Sequence, residues 1–132
     1  MIEIAQGKAD AKNVENVTFK RSTIEELSVS DQTLDAVLGL SILHLLDNKE
    51  EVTAKVHKML KPGGIFVTST ACIGGTMKFF KVIVPIGKFF GLVVKVFTRK
   101  ELEDSLTDAG FEIAYQWQPG KGKAVFIVAK KA

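Results

Sequence analysis

The segment Leu34-Asp35-Ala36-Val37-Leu38-Gly39-Leu40 constrains the fold more than any other part of the chain. It is an almost continuous apolar run, the pattern of a strand buried on both faces of a parallel sheet. Parallel strands need crossover connections, usually helical, and the periodicity around this run does alternate between helix and strand, as in an α/β domain. Ile2 to Asn13 reads as the end of a helix, with Ile2, Ala5 and Ala9 spaced for one face. Asn16 to Lys20 is a short β-branched strand, and Thr23 with Glu26 has capping-box spacing for a helical turn through Ile24 to Leu27. Asp47 and Glu50 form a second box, opening a helix lined by Val52, Val56, Met59 and Leu60. Lys61-Pro62-Gly63-Gly64 stops that helix before a strand over Ile65 to Thr70. Thr98 and Glu101 make a third box, for a helix through Leu102, Leu106 and Ala109, and Gly110 stands where a C-cap glycine belongs. Phe111 to Trp117 and Ala124 to Ala129 then read as an antiparallel hairpin joined by residues 118–123.

Composition narrows the function classes. At 132 residues and 46% hydrophobic the chain has the length and apolar content of a single domain over 1–132, and disorder is excluded. One cysteine, Cys72, cannot form an internal disulfide, which makes a reducing, cytoplasmic compartment the expectation. His44, His57 and Cys72 lack ligand spacing, so no metal site is expected. The opening MIEIAQGKAD has the pattern of neither a signal nor a transit peptide. Charge is segregated. Val52 to Lys100 holds nine cations and no acid, so the remaining nine cations share the rest of the chain with all fifteen acids: +9 against −6. A nucleic-acid partner is not expected, because those cations are interleaved with aliphatics and the only Trp and Tyr lie in the late hairpin.

Four signals recur in order: Leu34-Asp35-Ala36-Val37-Leu38, Leu43-His44-Leu45-Leu46-Asp47, Met59-Leu60-Lys61-Pro62-Gly63-Gly64, and Leu106-Thr107-Asp108-Ala109-Gly110-Phe111-Glu112. Together they resemble the class I S-adenosylmethionine-dependent methyltransferases, especially those acting on small molecules such as quinones and sterols. The resemblance implies a Rossmann-like fold, with a mostly parallel sheet of about five strands ending in an antiparallel hairpin. It covers the family's C-terminal two-thirds only. No G-x-G loop follows a strand: Gly63-Gly64 ends a helix, Gly74-Gly75 lacks the spacing, and Gly120-x-Gly122 lies in the hairpin. The family's first two strands lie between its third and fourth. The strand over Val17 to Lys20 is therefore expected to pair with Val37 to Leu40, or a second chain to fill the gap, as a homo-oligomer or with a partner.

The resemblance also implies a partial cofactor site. Thr23 takes the position of an adenine-binding residue and Ile24 would offer its backbone N–H; equally, Thr23 only caps its turn. Leu40 and Ser41 fall at the sulfonium end of S-adenosylmethionine, and Ser41 can alternatively just start the next turn. His44 is the acid/base candidate, since imidazole titrates near neutrality. The insert at 74–97 is rich in Phe, Val, Ile and Leu, with Lys81, Lys88 and Lys95 every seven residues on one helical stripe. Two roles fit it. In one, Phe79, Phe80, Phe89 and Phe90 bind a small lipophilic substrate or rest on a membrane whose head groups the lysines meet in peripheral contact; in the other, the segment is a lid helix packed on its own core with its lysines in water. Two functions follow: methyl transfer to a small lipophilic acceptor, or a non-catalytic module that binds another chain or a membrane surface.

Overall fold

The computed structural model describes residues 1–71, 98–120 and 124–132. Helix α1 spans Ile2–Ala11, and the face predicted from its spacing is the covered one: Ala9 is buried, Ile2 and Ala5 half-buried. Residues 16–20 form no strand. Their β-branched side chains favour an extended chain, but a strand needs a hydrogen-bonded neighbour, and no described strand pairs with them. The expected pairing of Val17–Lys20 with Val37–Leu40 is therefore absent.

The sheet accordingly has four strands among the described residues, rather than about five. They are β1 (Leu34–Leu40), β2 (Leu60–Ala71), β3 (Phe111–Trp117) and β4 (Ala124–Lys131), in the order β1-β2-β4-β3. It is mixed, not mostly parallel: β1 pairs parallel with β2, while β2–β4 and β4–β3 are antiparallel. The hairpin is where the sequence places it. Helix α2 (Lys49–Met59) separates β1 from β2, and helix α3 (Arg99–Asp108) precedes β3.

Between β1 and β2 the register runs from Leu34↔Leu60 to Ala36↔Ile65, so Lys61-Pro62-Gly63-Gly64 loops out of β2 as a wide bulge directly after α2. Gly63 has φ +79, open to glycine at little cost. At Gly64 a Cβ would lie 2.8 Å from the Lys61 carbonyl oxygen and 3.2 Å from that of Asp35. Both glycines are thus required, one by its dihedral and one by space.

One face of the sheet carries the core. Phe66, Val125, Ile127 and Ala129 meet Val52, Val56 and Met59 from α2 and Leu102 and Leu106 from α3, with Phe111 completing the cluster. Burying such side chains is worth about 1.5–3 kcal/mol each. The caps differ from one another. Thr98 Oγ1 accepts from Glu101 N–H at 3.2 Å, and Thr98 N–H donates to Glu101 Oε2 at 2.8 Å, the reciprocal box the sequence predicts for α3. The expected Asp47–Glu50 box does not open α2. Its N-cap is Asn48, whose side chain makes no cap bond and instead donates to Glu25 Oε1 at 2.5 Å.

Among the described residues no layer covers the other face of the sheet, against the expectation that Leu34–Leu40 is buried on both sides. Leu38 and Leu40 of β1 are exposed, as are Ile65, Tyr115 and Trp117. An apolar run records what a strand would bury. It does not supply the layer that buries it.

Candidate functional site

Ligands of open α/β sheets collect beyond the carboxyl ends of parallel strands. Here those ends are Leu40 and Ser69–Ala71, side by side in the β1–β2 ladder. Ser41 leaves β1 with φ +55, left-handed for a non-glycine residue, at a cost of about 1–2 kcal/mol. Its N–H donates to the Ser69 carbonyl at 2.7 Å, which holds the reversal in place. The chain then makes a 3-10 turn over Leu43–Leu45 that packs on β2. Leu43 is buried in the core cluster, while Leu40 and Leu45 face solvent.

Three polar atoms in this region are buried and have no hydrogen-bond partner: His44 Nδ1, Thr68 Oγ1 and Thr70 Oγ1. Thr68 and Thr70 lie on the core face of β2, opposite Ile127 and Val125. A buried hydroxyl without a partner costs about 1–3 kcal/mol. Each hydroxyl can both donate and accept, and a neutral imidazole nitrogen does one or the other. The two threonines escaped the sequence reading, although the spacing Thr68-x-Thr70 within a strand places both on one face.

Thr23 and Ile24 lie in a turn over 24–26. Thr23 N–H donates to Glu26 Oε2 at 3.2 Å and Glu26 N–H donates to Thr23 Oγ1 at 3.3 Å, so the capping box is formed. The turn is tied to α2 by the Asn48–Glu25 bond and by Lys55 Nζ, which donates to the Glu25 carbonyl at 2.8 Å. The Asn48 side-chain amide is the main reason that the Glu25 carboxyl sits below its ordinary pKa. Ile24 packs its side chain against the core cluster.

His57 belongs to a different region. Its ring meets Phe111 edge-on, with centroids 4.9 Å apart and planes at 88°. Desolvation, and then the nearby Lys131 ammonium, lower its pKa below the ordinary histidine value. Lys131 Nζ also donates to the carbonyls of His57 (2.7 Å) and Leu60 (2.8 Å) at the end of α2, where a cation is favoured. Cys72 and the whole 74–97 insert, with Phe79, Phe80, Phe89, Phe90, Lys81, Lys88 and Lys95, lie outside the described residues. Among the described residues no group of three His, Cys, Asp or Glu could hold a metal ion, and no helix is long and apolar enough to cross a membrane.

For S-adenosylmethionine, the cofactor the resemblance implies, the described residues alone do not form a fitting cradle. The Ser41 amide is committed to Ser69, and Thr23 accepts the bond that caps its own turn. The described helices start at Met1, Asn48 and Thr98, none on a glycine-rich turn.

Comparison with known proteins agrees with this topology. A family model described as a methyltransferase domain matches residues 1–129. An arsenite methyltransferase of Halobacterium salinarum is 28% identical over 113 residues, covering 85% of this chain and 28% of that protein. A ubiquinone biosynthesis O-methyltransferase of Rickettsia akari is 29% identical over 120 residues, covering 85% of this chain and 46% of that protein. The chain thus spans less than half the length of these curated relatives. A crystal structure of an S-adenosylmethionine-dependent methyltransferase from Methanosarcina mazei shares the fold, with a TM-score of 0.76 and 24% identity over 98% of this chain and 76% of that one.

Proposed function

The chain belongs to the class I S-adenosylmethionine-dependent methyltransferase family, and from that premise we propose that it supplies the acceptor side of a methyl-transfer site for a small lipophilic molecule. The observation that carries this reading is the set of three unpartnered buried atoms, His44 Nδ1 and the hydroxyls of Thr68 and Thr70, near the carboxyl ends of β1 and β2. A hydroxylated acceptor of the quinone-precursor kind, entering beyond the strand ends, would bond the last of them, Thr70, and recover the cost of its desolvation. The ubiquinone-pathway relative acts within the same chemical class. Holding such an acceptor in line with a methyl donor is the main task of a methyltransferase, because positioning supplies most of the rate. His44 would orient the acceptor hydroxyl or accept its proton. With a committed Ser41 amide and no glycine-rich turn at a helix start among the described residues, the chain binds the cofactor weakly or not at all by itself. Turnover then draws on a second polypeptide at the edge of β1 that no described strand pairs.

The test is a calorimetric titration of the purified chain with a short-chain prenylphenol, repeated on Thr70→Val. Saturable binding that weakens at least tenfold in the variant is expected, the loss of about one buried hydrogen bond. No binding to the unaltered chain would refute the acceptor-side reading. It would favour the non-catalytic alternative, a module that only binds another chain or a membrane.

A further inference from the structure

The open face of the sheet has an order that the strand register makes explicit. Ladder partners across all four strands place Leu38, Val67, Val128 and Tyr115 in one row, and Leu40, Ser69, Phe126 and Trp117 in the next. A third row runs Ala36, Ile65, Lys130 and Glu112. Side chains alternate along a strand, so all three rows share the face opposite the α2/α3 core. The large apolar members stay open: Leu38 is 66% exposed, Tyr115 59%, Leu40 56%, Trp117 49% and Ile65 37%. At about 200 Å² per large side chain, those fractions leave about 500 Å² of apolar surface on this face.

We infer that this face is the interface of a symmetric homodimer, two copies of the chain packing sheet on sheet. The inference goes beyond the acceptor-side reading and does not depend on it. The area supports a second copy as occupant. The open apolar side chains of two faces together with the partly covered Val67, Phe126 and Val128 bring the buried total above about 1,000 Å², the range of a specific, modest interface. A patch of this size is at the upper end of what a monomer leaves open. The composition fits as well: two inner rows are apolar or aromatic except for the buried Ser69, and the outer row ends in Lys130 beside Glu112, opposite charges that a two-fold axis can bring into register across the interface. Two twisted sheets pack in this manner at about −30°.

Trp117 makes the inference measurable, because it is the chain's only tryptophan and lies on the face itself. Sedimentation velocity on the full chain at about 50 µM, a concentration suited to a modest interface, should give a mass near twice 14.4 kDa. Over a dilution series, acrylamide should quench Trp117 less as the dimer forms. The double variant Leu38→Arg, Tyr115→Arg should sediment as a monomer and show concentration-independent quenching. Both side chains are mostly in solvent in the monomer, so its circular dichroism should match that of the unaltered chain. A monomer at every concentration overturns the inference. So does a dimer whose Trp117 quenching stays constant, since its contact then lies elsewhere. If the double variant fails to fold, the dilution series on the unaltered chain decides alone.

Discussion

Replacing Thr68 and Thr70 by valine should make the ligand-free chain more stable. Both residues are fully buried, and both hydroxyls lack a partner. Valine keeps the branched shape that packs opposite Ile127 and Val125 and removes a group whose unpaired burial costs about 1–3 kcal/mol. The two sites are near neighbours on one strand face, so the gains add incompletely, and the double variant should gain about 2–3 kcal/mol. With a denaturant slope of about 1–3 kcal/mol/M in urea, the unfolding midpoint should rise by about 1 M or more. Thr53 provides the control. It is just as buried, but its Oγ1 donates to the Lys49 carbonyl at 2.6 Å. Thr53→Val should therefore lose about 1 kcal/mol where the other two gain. A lowered midpoint for the Thr68/Thr70 pair would mean that their hydroxyls are bonded, and the ligand-facing interpretation of the strand end would fall with it. A gain in stability accompanied by loss of prenylphenol binding is the trade-off expected of a binding site.

Gly110 has φ +94, and a Cβ there would lie 3.1 Å from His57 Nε2. Gly110→Ala should cost about 2–3 kcal/mol in the unaltered chain but only the left-handed strain of about 1–2 kcal/mol in a His57→Ala background; equal costs in both would refute the contact. Thr98→Ala removes one arm of the α3 capping box and should cost about 1 kcal/mol by urea unfolding, where an unchanged midpoint would contradict the geometry. His57 titrates below its ordinary value in the folded chain. The stability it contributes is complete above the unfolded value and is lost as pH falls through the folded one. Unfolding midpoints measured between about pH 7.5 and 5.5 should consequently fall less steeply in His57→Gln than in the unaltered chain, and parallel curves would show that His57 is not the source.

The features legible in the sequence are those decided within a few residues. The covered face of α1, the Thr98–Glu101 box, Gly110 behind α3, the glycines after α2 and the Phe111–Lys131 hairpin all rest on local spacing and dihedral preference. Decisions made at long range were not legible. Residues 16–20 have strand propensity, but a strand exists only where a neighbour pairs with it. Asn48 rather than Asp47 stands at the N-cap of α2, and its amide bonds Glu25, 23 residues away. Leu38 and Leu40 are apolar enough for a covered strand, yet nothing in their own stretch says whether a layer will cover them. In the site, the end of β1 at Leu40–Ser41 could be read from the strand pattern. The left-handed turn at Ser41 could not, since serine carries no such preference. Nor could the unpartnered state of Thr68 and Thr70, which depends on what the rest of the fold fails to bring near them.

We propose that this methyltransferase-family chain carries the acceptor side of the site, and its described residues form no cofactor cradle; calorimetry with S-adenosylhomocysteine on the purified chain, its mass recorded in the same buffer, tests both most directly. The expected result is no saturable heat below about millimolar ligand, an affinity weaker than about −4 kcal/mol. Micromolar binding would contradict the claim, because the chain would then hold the cofactor without a second polypeptide.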